Sequence, residues 1–411
     1  MKILVLAPDV PATSRMPGSP RLFNLSRELS RRHKLLLLTP NPSQERSQAF
    51  LNDPTTSDVF TRVEKLPDPP AARWWGQQWH RAHLAGHFET RYRQAEYHRS
   101  IRDQIQDLCI DERIDLIYVD LLAMTQYVDP QINIPAIVDV HDSQTLLWRR
   151  MLNTERDWRK RLTAFSALLT AKRIEGRLGG IFDLIVTNSN VDEQVIRGLS
   201  TKPKSLTISN GVDMEYFAPD SISPEADKLV FTGVMSYAPN EDAAMYFAKD
   251  IFPLVKAKRP EVQFWIVGNG PSERVKALTA IAGIHVTGKV DDIRPYLRSA
   301  AVFVCPLRVG SGVKNKILAA MAMQKAIVAT SMSIEGLDLA DDREVLLADE
   351  PQAFAEKVVR LLTDQKAAQQ LGGNGLARVR GQYSWAAMGK ELESAIQSVM
   401  ASRNGPAHQS R

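Results

Sequence analysis

Short runs of wholly apolar residues alternate with stretches of helical periodicity along almost the whole chain. KILVLAP, KLLLLTP, LIYVDL, AIVDVHD and LIVTNS occupy the first half, and KLVFTG, QFWIVG, IHVTG, VFVCP, AIVAT and EVLLA the second. Each run is stopped by a polar or helix-breaking residue. Strands that are apolar throughout are buried on both faces, the condition of a parallel sheet with crossover helices packed on either side. Between the first two runs, Leu22, Leu25 and Leu29 fall at helical spacing within Pro20–Arg32, as one such crossover requires. The chain is therefore predicted to be α/β. At 411 residues it exceeds what one core normally supports, so two doubly wound parallel sheets of similar size, facing each other across a cleft, are the economical assembly.

The seam is predicted between the Asn210-Gly211 turn and Lys228, where Pro219 to Asp227 is rich in proline and acid and lacks periodicity. This gives a first domain over 1–210 and a second over 211–384. A helix from Trp385 to Met400 follows, and a patternless, disordered tail runs from Ser402.

With 44% apolar and 24% charged residues the composition is that of a globular protein. Cys109 and Cys305 lie far apart with no C-x-x-C spacing, which excludes a disulfide framework or zinc site and makes a reducing cytoplasm the expected home. Ile3 to Ala7 ends at Pro8 and Asp9, a first strand rather than a signal peptide. No run approaches the roughly 18–20 apolar residues of a membrane helix. The net charge of +5 argues only weakly for acidic partners, and no nucleic-acid motif accompanies it.

Residues 302–337 carry the most chemistry. They read as a strand, the Gly310-Ser311-Gly312 turn, a helix and a second strand. A glycine turn feeding a helix presents unpaired N–H groups and a partial positive charge, which suits phosphate. Arg308, Lys314 and Lys316 add full charges. Lys314 and Lys316 are two apart and cannot share a helix face, so one is expected in the turn and the other in the first helical turn. The residues alone equally describe an ordinary strand-to-helix connection with a solvated basic rim. Asp139-Val140-His141-Asp142 ends a buried-type strand. Carboxyl ends of strands face the ligand crevice in open α/β sheets, so His141 is a candidate site residue, beside the alternative that its ring merely holds the turn.

Several chemistries are excluded. The first turn, PDVPATSRMPGSPR, has four prolines and no G-x-G-x-x-G, and Gly268-Asn269-Gly270-Pro271 lacks the third glycine, so a nicotinamide enzyme is not expected. No dedicated metal spacing occurs, and the G-x-S-x-G elbow is absent.

An ordered set of motifs adds to this reading. Asn315-Lys316-Ile317-Leu318, Ala320-Met321-Ala322, Ala326–Thr330 and Glu335-Gly336 resemble the donor-site signature of family 4 glycosyltransferases of the two-domain GT-B type, nearest to bacterial exopolysaccharide sugar transferases. Asn210-Gly211-Val212-Asp213 with Phe217 and Pro219 resembles the family's N-G-V-D segment. Phe231-Thr232-Gly233, Gly268-x-Gly270-Pro271 and Gly288-x-Val290-x-Asp292 continue the order. The detailed match covers roughly 205–340.

The resemblance implies a metal-independent hexosyltransferase without a cofactor. It would move a sugar, with retention, from a nucleotide-sugar (a UDP-sugar is expected) to a hydroxyl of a saccharide or lipid-linked saccharide. The second domain would hold the donor through Gly233, Gly268, Gly270, Pro271, Ser311, Gly312, Lys314, Asn315, Ala319 and Glu335. Arg308 and Lys316, with the helix N-terminus at Ser311–Gly312, would stabilise the departing diphosphate. His141 would line the sugar, and Gly18 and Ser19 would form a small-residue loop facing acceptor and donor phosphate.

The sequence departs from the family pattern at Ala319, where an acid normally grips the ribose, at Ser311, where a second glutamate lies, and at Gln324 in place of glycine. Losing a charged hydrogen bond of this kind costs about 1.5–3 kcal/mol. A non-catalytic shell that binds nucleotide, glycan or a partner transferase therefore stays open, as does an epimerase.

Two basic stretches with tryptophans, 73–102 and 146–177, suit either the headgroup layer of an anionic membrane or solvated helix faces with tryptophans turned inward. The first reading would place the protein at the inner face of the plasma membrane.

Overall fold

The computed structural model describes residues 1–11, 20–39, 50, 56, 58–66, 95–154, 157–200, 204–220, 224–310 and 312–403. They form two compact units, one of Met1–Ile208 with Met388–Arg411 and one of Ser209–Ala387.

The first unit is built on β1 (Lys2–Leu6), α1 (Arg21–Ser30), β2 (Lys34–Thr39), β3 (Arg62–Lys65), α2 (Ala95–Asp111), β4 (Leu116–Asp120), β5 (Ala136–His141), α3 (Gln144–Thr154), α4 (Trp158–Glu175), β6 (Leu184–Thr187), α5 (Asn190–Leu199) and β7 (Ser205–Thr207). Its sheet is parallel throughout, in the order β3-β2-β1-β4-β5-β6-β7. The interior strands β4 and β6 are buried residue after residue, and β1 from Ile3 onward, as their largely apolar spelling requires.

The second unit comprises β8 (Lys228–Thr232), α6 (Ala238–Tyr246), α7 (Phe252–Lys258), β9 (Gln263–Val267), α8 (Glu273–Lys276), β10 (Ile284–Val286), α9 (Arg294–Ser299), β11 (Val302–Cys305), α10 (Asn315–Ala322), β12 (Ala326–Ala329), β13 (Leu346–Leu347), α11 (Pro351–Thr363) and α12 (Gln365–Gln382). Its sheet is again parallel, β10-β9-β8-β11-β12-β13. The final helix, α13 (Trp385–Arg403), leaves the second unit and packs on the first from Met388 onward. There His33 Nε2 meets Glu393 Oε2 at 2.6 Å and Arg403 Nε donates to Asp183 Oδ1 at 2.9 Å.

The boundary falls at Ile208/Ser209, two residues before the expected division at 210/211, and the proline- and acid-rich 219–227 stretch belongs to the second unit. The segment after Ser209 is tied into the second unit: Val212 N donates to Tyr383 O at 2.8 Å, and Gly211 lies against the Trp385 indole. α13 continues through Arg403, past the Ser402 at which the disordered tail was expected to begin. The rest of that tail, 404–411, lies outside the described residues. Both cysteines are free and buried. Among the described residues no helix is long and apolar enough to cross a membrane.

Candidate functional site

In each sheet the strand order reverses once, between β1 and β4 in the first unit and between β8 and β11 in the second. At such a switch point neighbouring loops diverge and leave a crevice at the carboxyl ends of the strands. The residues with unusual chemistry gather at these two places.

In the second unit the loops after β8, β9 and β11 converge. Gly233 N donates to Val267 O at 3.0 Å and Met235 N to Asn269 O at 2.7 Å, which ties the first two loops together. Gly268 has φ +146, and a Cβ there would overlap the Gly233 carbonyl; only glycine lets these backbones approach so closely. Gly233 is needed for a different reason. A Cβ at this position would lie 2.8 Å from both Lys316 Nζ and Asn240 Nδ2, so its missing side chain is the space the two polar groups occupy. Gly270 lies against Ser236. Pro271 precedes Ser272, whose Oγ caps α8 by accepting from Val275 N at 3.3 Å.

Lys316, in the first turn of α10, donates from Nζ to Asn240 Oδ1 at 2.6 Å and stands 4.3 Å over the Phe231 ring. Asn240 is itself oriented by its Nδ2 bond to Val234 O at 2.9 Å. Burial pushes the Lys316 ammonium down to about 8, with Lys314 adding to the effect and Cys305 opposing it. Among the described residues no carboxylate pairs with it, and an anionic ligand would supply the counter-charge.

Arg308 is engaged with side chains of α6. It makes a two-pronged pair with Asp242 on α6, Nη2 to Oδ1 at 2.6 Å and Nε to Oδ2 at 3.0 Å, and lies 4.3 Å over the Tyr246 ring. The helix begins later than expected. α10 starts at Asn315 with Lys314 as its N-cap, because Gly310 and Gly312 take φ +147 and +64, outside the helical region. Lys314 Nζ folds back onto Gly312 O, and Asn315 Oδ1 accepts from Asn210 Nδ2 at 2.9 Å. Lys314 thus sits in the turn and Lys316 in the first helical turn, as their spacing predicts. Ser311 lies outside the described residues. Ala319 is 5% exposed and packs with the unit's apolar core. Glu335 follows the short 3-10 turn Ser331–Ile334 beyond β12 and is partly buried.

In the first unit His141 ends β5 at a bulge, with φ +61, a conformation strained for a residue with a side chain. Its Nε2 meets Asp120 Oδ1, at the end of the neighbouring β4, at 2.8 Å. Directly behind, Asp139 is fully buried. Its Oδ2 accepts from Arg21 Nε at 2.8 Å and from Tyr118 OH at 2.7 Å. Burial alone would raise the Asp139 carboxyl, but Arg21 and His141 outweigh it and hold it below the ordinary value. Burial likewise disfavours the His141 imidazolium, and Asp120 with Asp139 overcomes it, so the ring's pKa is raised. Gly18 and Ser19 lie outside the described residues.

Sequence reading missed Arg21, Tyr118, Asp120, Asn240 and Asp242. A signal existed for Asp120: LIYVD and AIVD are apolar runs closed by aspartate, and the parallel register sets Asp120 beside Asp139. Among the described residues no group of three metal-ligating side chains comes together.

Residues 226–364, most of the second unit, match the family model described as glycosyl transferases group 1, and with it the family resemblance read from the motifs holds. A phosphatidyl-myo-inositol mannosyltransferase of Mycobacterium tuberculosis is 26% identical over 212 residues, 48% of this chain and 55% of that protein. A capsular polysaccharide biosynthesis glycosyltransferase, CapM, of Staphylococcus aureus is 22% identical over 242 residues, 54% and 63%. The chain therefore matches less than two thirds of the length of either relative. Its fold is similar to that of Anabaena Alr3699/HepE, solved in complex with UDP, at TM-score 0.68 and 14% identity over 97% of this chain and 100% of that one. The fold is GT-B, two Rossmann-like parallel-sheet domains.

Proposed function

We propose that the protein is a glycosyltransferase that takes a sugar from a nucleotide-sugar, a UDP-sugar in the first instance, and delivers it to a hydroxyl of a saccharide or lipid-linked saccharide in cell-surface polysaccharide synthesis. In the transfer the bond between the anomeric carbon and the diphosphate oxygen breaks, the acceptor oxygen forms the new bond to that carbon, and the acceptor's proton passes to the departing diphosphate.

The observation that carries this reading is the junction of Gly233, Gly268, Asn240 and Lys316. Loops from adjacent strand ends meet there through glycine backbone, around a half-buried lysine that has no carboxylate at its ammonium among the described residues. A diphosphate needs close backbone approach and a cation that strengthens its hold as the leaving group gains charge. Arg308 joins this role by exchanging Asp242 for phosphate. His141, oriented by Asp120, faces the sugar, and the reaction proceeds with retention and without metal, on the cytoplasmic side of the membrane.

Calorimetric titration with UDP and GDP, followed by assays of transfer from each nucleotide-sugar, tests this. Tight UDP binding with turnover to a glycoside is expected. Binding without turnover on any donor would favour a binding module, for which Ala319 and the Arg308–Asp242 pair speak. Failure to bind either nucleotide would overturn the donor site.

A further inference from the structure

Helix α4 buries one face and exposes another that is also apolar. Ala164, Ala167, Leu168 and Ala171 point inward. On the opposite side Trp158, Leu162, Phe165 and Leu169 are 68, 66, 49 and 52% exposed, at spacings of four, three and four that align them in a single stripe. Met151 on α3, which packs against α4, is exposed too. The basic, tryptophan-bearing stretch therefore does not turn Trp158 into the core.

Among the described residues the exposed charges that α4 carries beside this stripe have one sign. Arg161 and Lys172 flank it on one edge and Arg159 and Arg173 on the other by helical position, and all four are exposed. Of the segment's three acids Glu155 lies outside the described residues, and the other two are otherwise engaged. Asp157 caps the helix, accepting from Arg159 N at 2.8 Å, and Glu175 is buried, accepting from Gln144 N at 2.6 Å and Ser143 Oγ at 3.0 Å.

We infer that this face of α4 docks on an anionic lipid bilayer, with Trp158, Leu162, Phe165 and Leu169 entering the boundary between headgroups and acyl chains and the flanking cations meeting lipid phosphate. An apolar stripe edged by cations is what such an interface binds. A second copy of the chain is a poorer occupant, because a two-fold pairing would bring the cation-edged stripe, Lys172 and Arg173 included, against its own image. The inference does not depend on which reaction the protein performs.

Co-sedimentation of the full chain with vesicles tests it. The wild type should pellet with vesicles of phosphatidylcholine mixed with phosphatidylglycerol, much less with phosphatidylcholine alone, and less as salt is raised. The exposed-site variants Leu162→Glu/Phe165→Glu and Lys172→Glu/Arg173→Glu should each weaken vesicle binding by at least about tenfold, with far-ultraviolet circular dichroism and thermal unfolding unchanged. Binding retained in both variants would place any membrane contact elsewhere, for example in 73–102. Absence of wild-type binding would overturn the inference outright. So would sedimentation equilibrium showing a dimer that Leu162→Glu/Phe165→Glu dissociates, since a second copy would then cover the stripe.

Discussion

Lys316 reaches out of α10 to Asn240 at 2.6 Å, across the gap left by the absent side chain of Gly233. Burial lowers the pKa of this ammonium to about 8, against the ordinary 10.5. A dianionic ligand beside it would restore the ammonium and raise that value again. Nucleotide binding above pH 8 should therefore take up a proton, and affinity should fall as pH rises through and beyond 8. Titration calorimetry in buffers of different ionisation enthalpy measures the uptake; none at pH 8.5 would show that the nucleotide does not meet Lys316.

The same depression fixes a sign for stability. The unfolded lysine holds its proton up to 10.5 and the folded one only to about 8. In that window the unfolded state binds more protons, so stability rises with pH. Lys316→Met should flatten this rise in urea melts between pH 8 and 10.5.

Arg308→Ala should cost about 1 kcal/mol of stability or less, since the pair with Asp242 is half-exposed, yet should reduce transfer, and the double variant Arg308→Ala/Lys316→Ala should abolish it. Full activity in the double variant, with an intact thermal transition, would remove both residues from the phosphate site.

His141 gives the opposite pH sign. Its folded pKa is raised above 6.5, with Asp120 and Asp139 overcoming burial. The pair's contribution is complete below 6.5 and is lost as pH climbs through the higher folded value. Asp120→Asn should thus lower the melting temperature more at pH 5.5 than at pH 9. An equal loss at both would mean that the Asp120–His141 contact stabilises as a neutral hydrogen bond only.

Asp139→Ala leaves the Arg21 guanidinium buried against Tyr118 without its carboxylate, and about 3–5 kcal/mol of stability should go. Replacing both charges by apolar residues should recover much of it. Chemical denaturation of the single and double variants separates the two cases.

The interior strands were legible in the sequence because a strand buried on both faces must be spelled in apolar residues. The edge strands of the first sheet were not. β3 is Arg-Val-Glu-Lys and β7 Ser-Leu-Thr, and polar, charged spelling is how edges resist pairing with another chain. EVLLA was expected as a full strand and contributes only Leu346–Leu347 to the ladder. Within the site, Lys314, Lys316 and the glycines could be placed from their spacing. Arg21 could not, because a buried arginine is spelled like a solvated one until its distant partner Asp139 is known. Arg308 was recognised as a cation near the turn, but its partner Asp242 lies 66 residues away.

The route of α13 has a consequence for synthesis. The first unit is discontinuous: its opening strands come from the start of the chain, whereas Glu393, which closes on His33, follows 360 residues later. The second unit is a single uninterrupted segment, Ser209–Ala387. On the ribosome the later-made unit should thus reach its native contacts first, while the earlier-made one waits for its last helix.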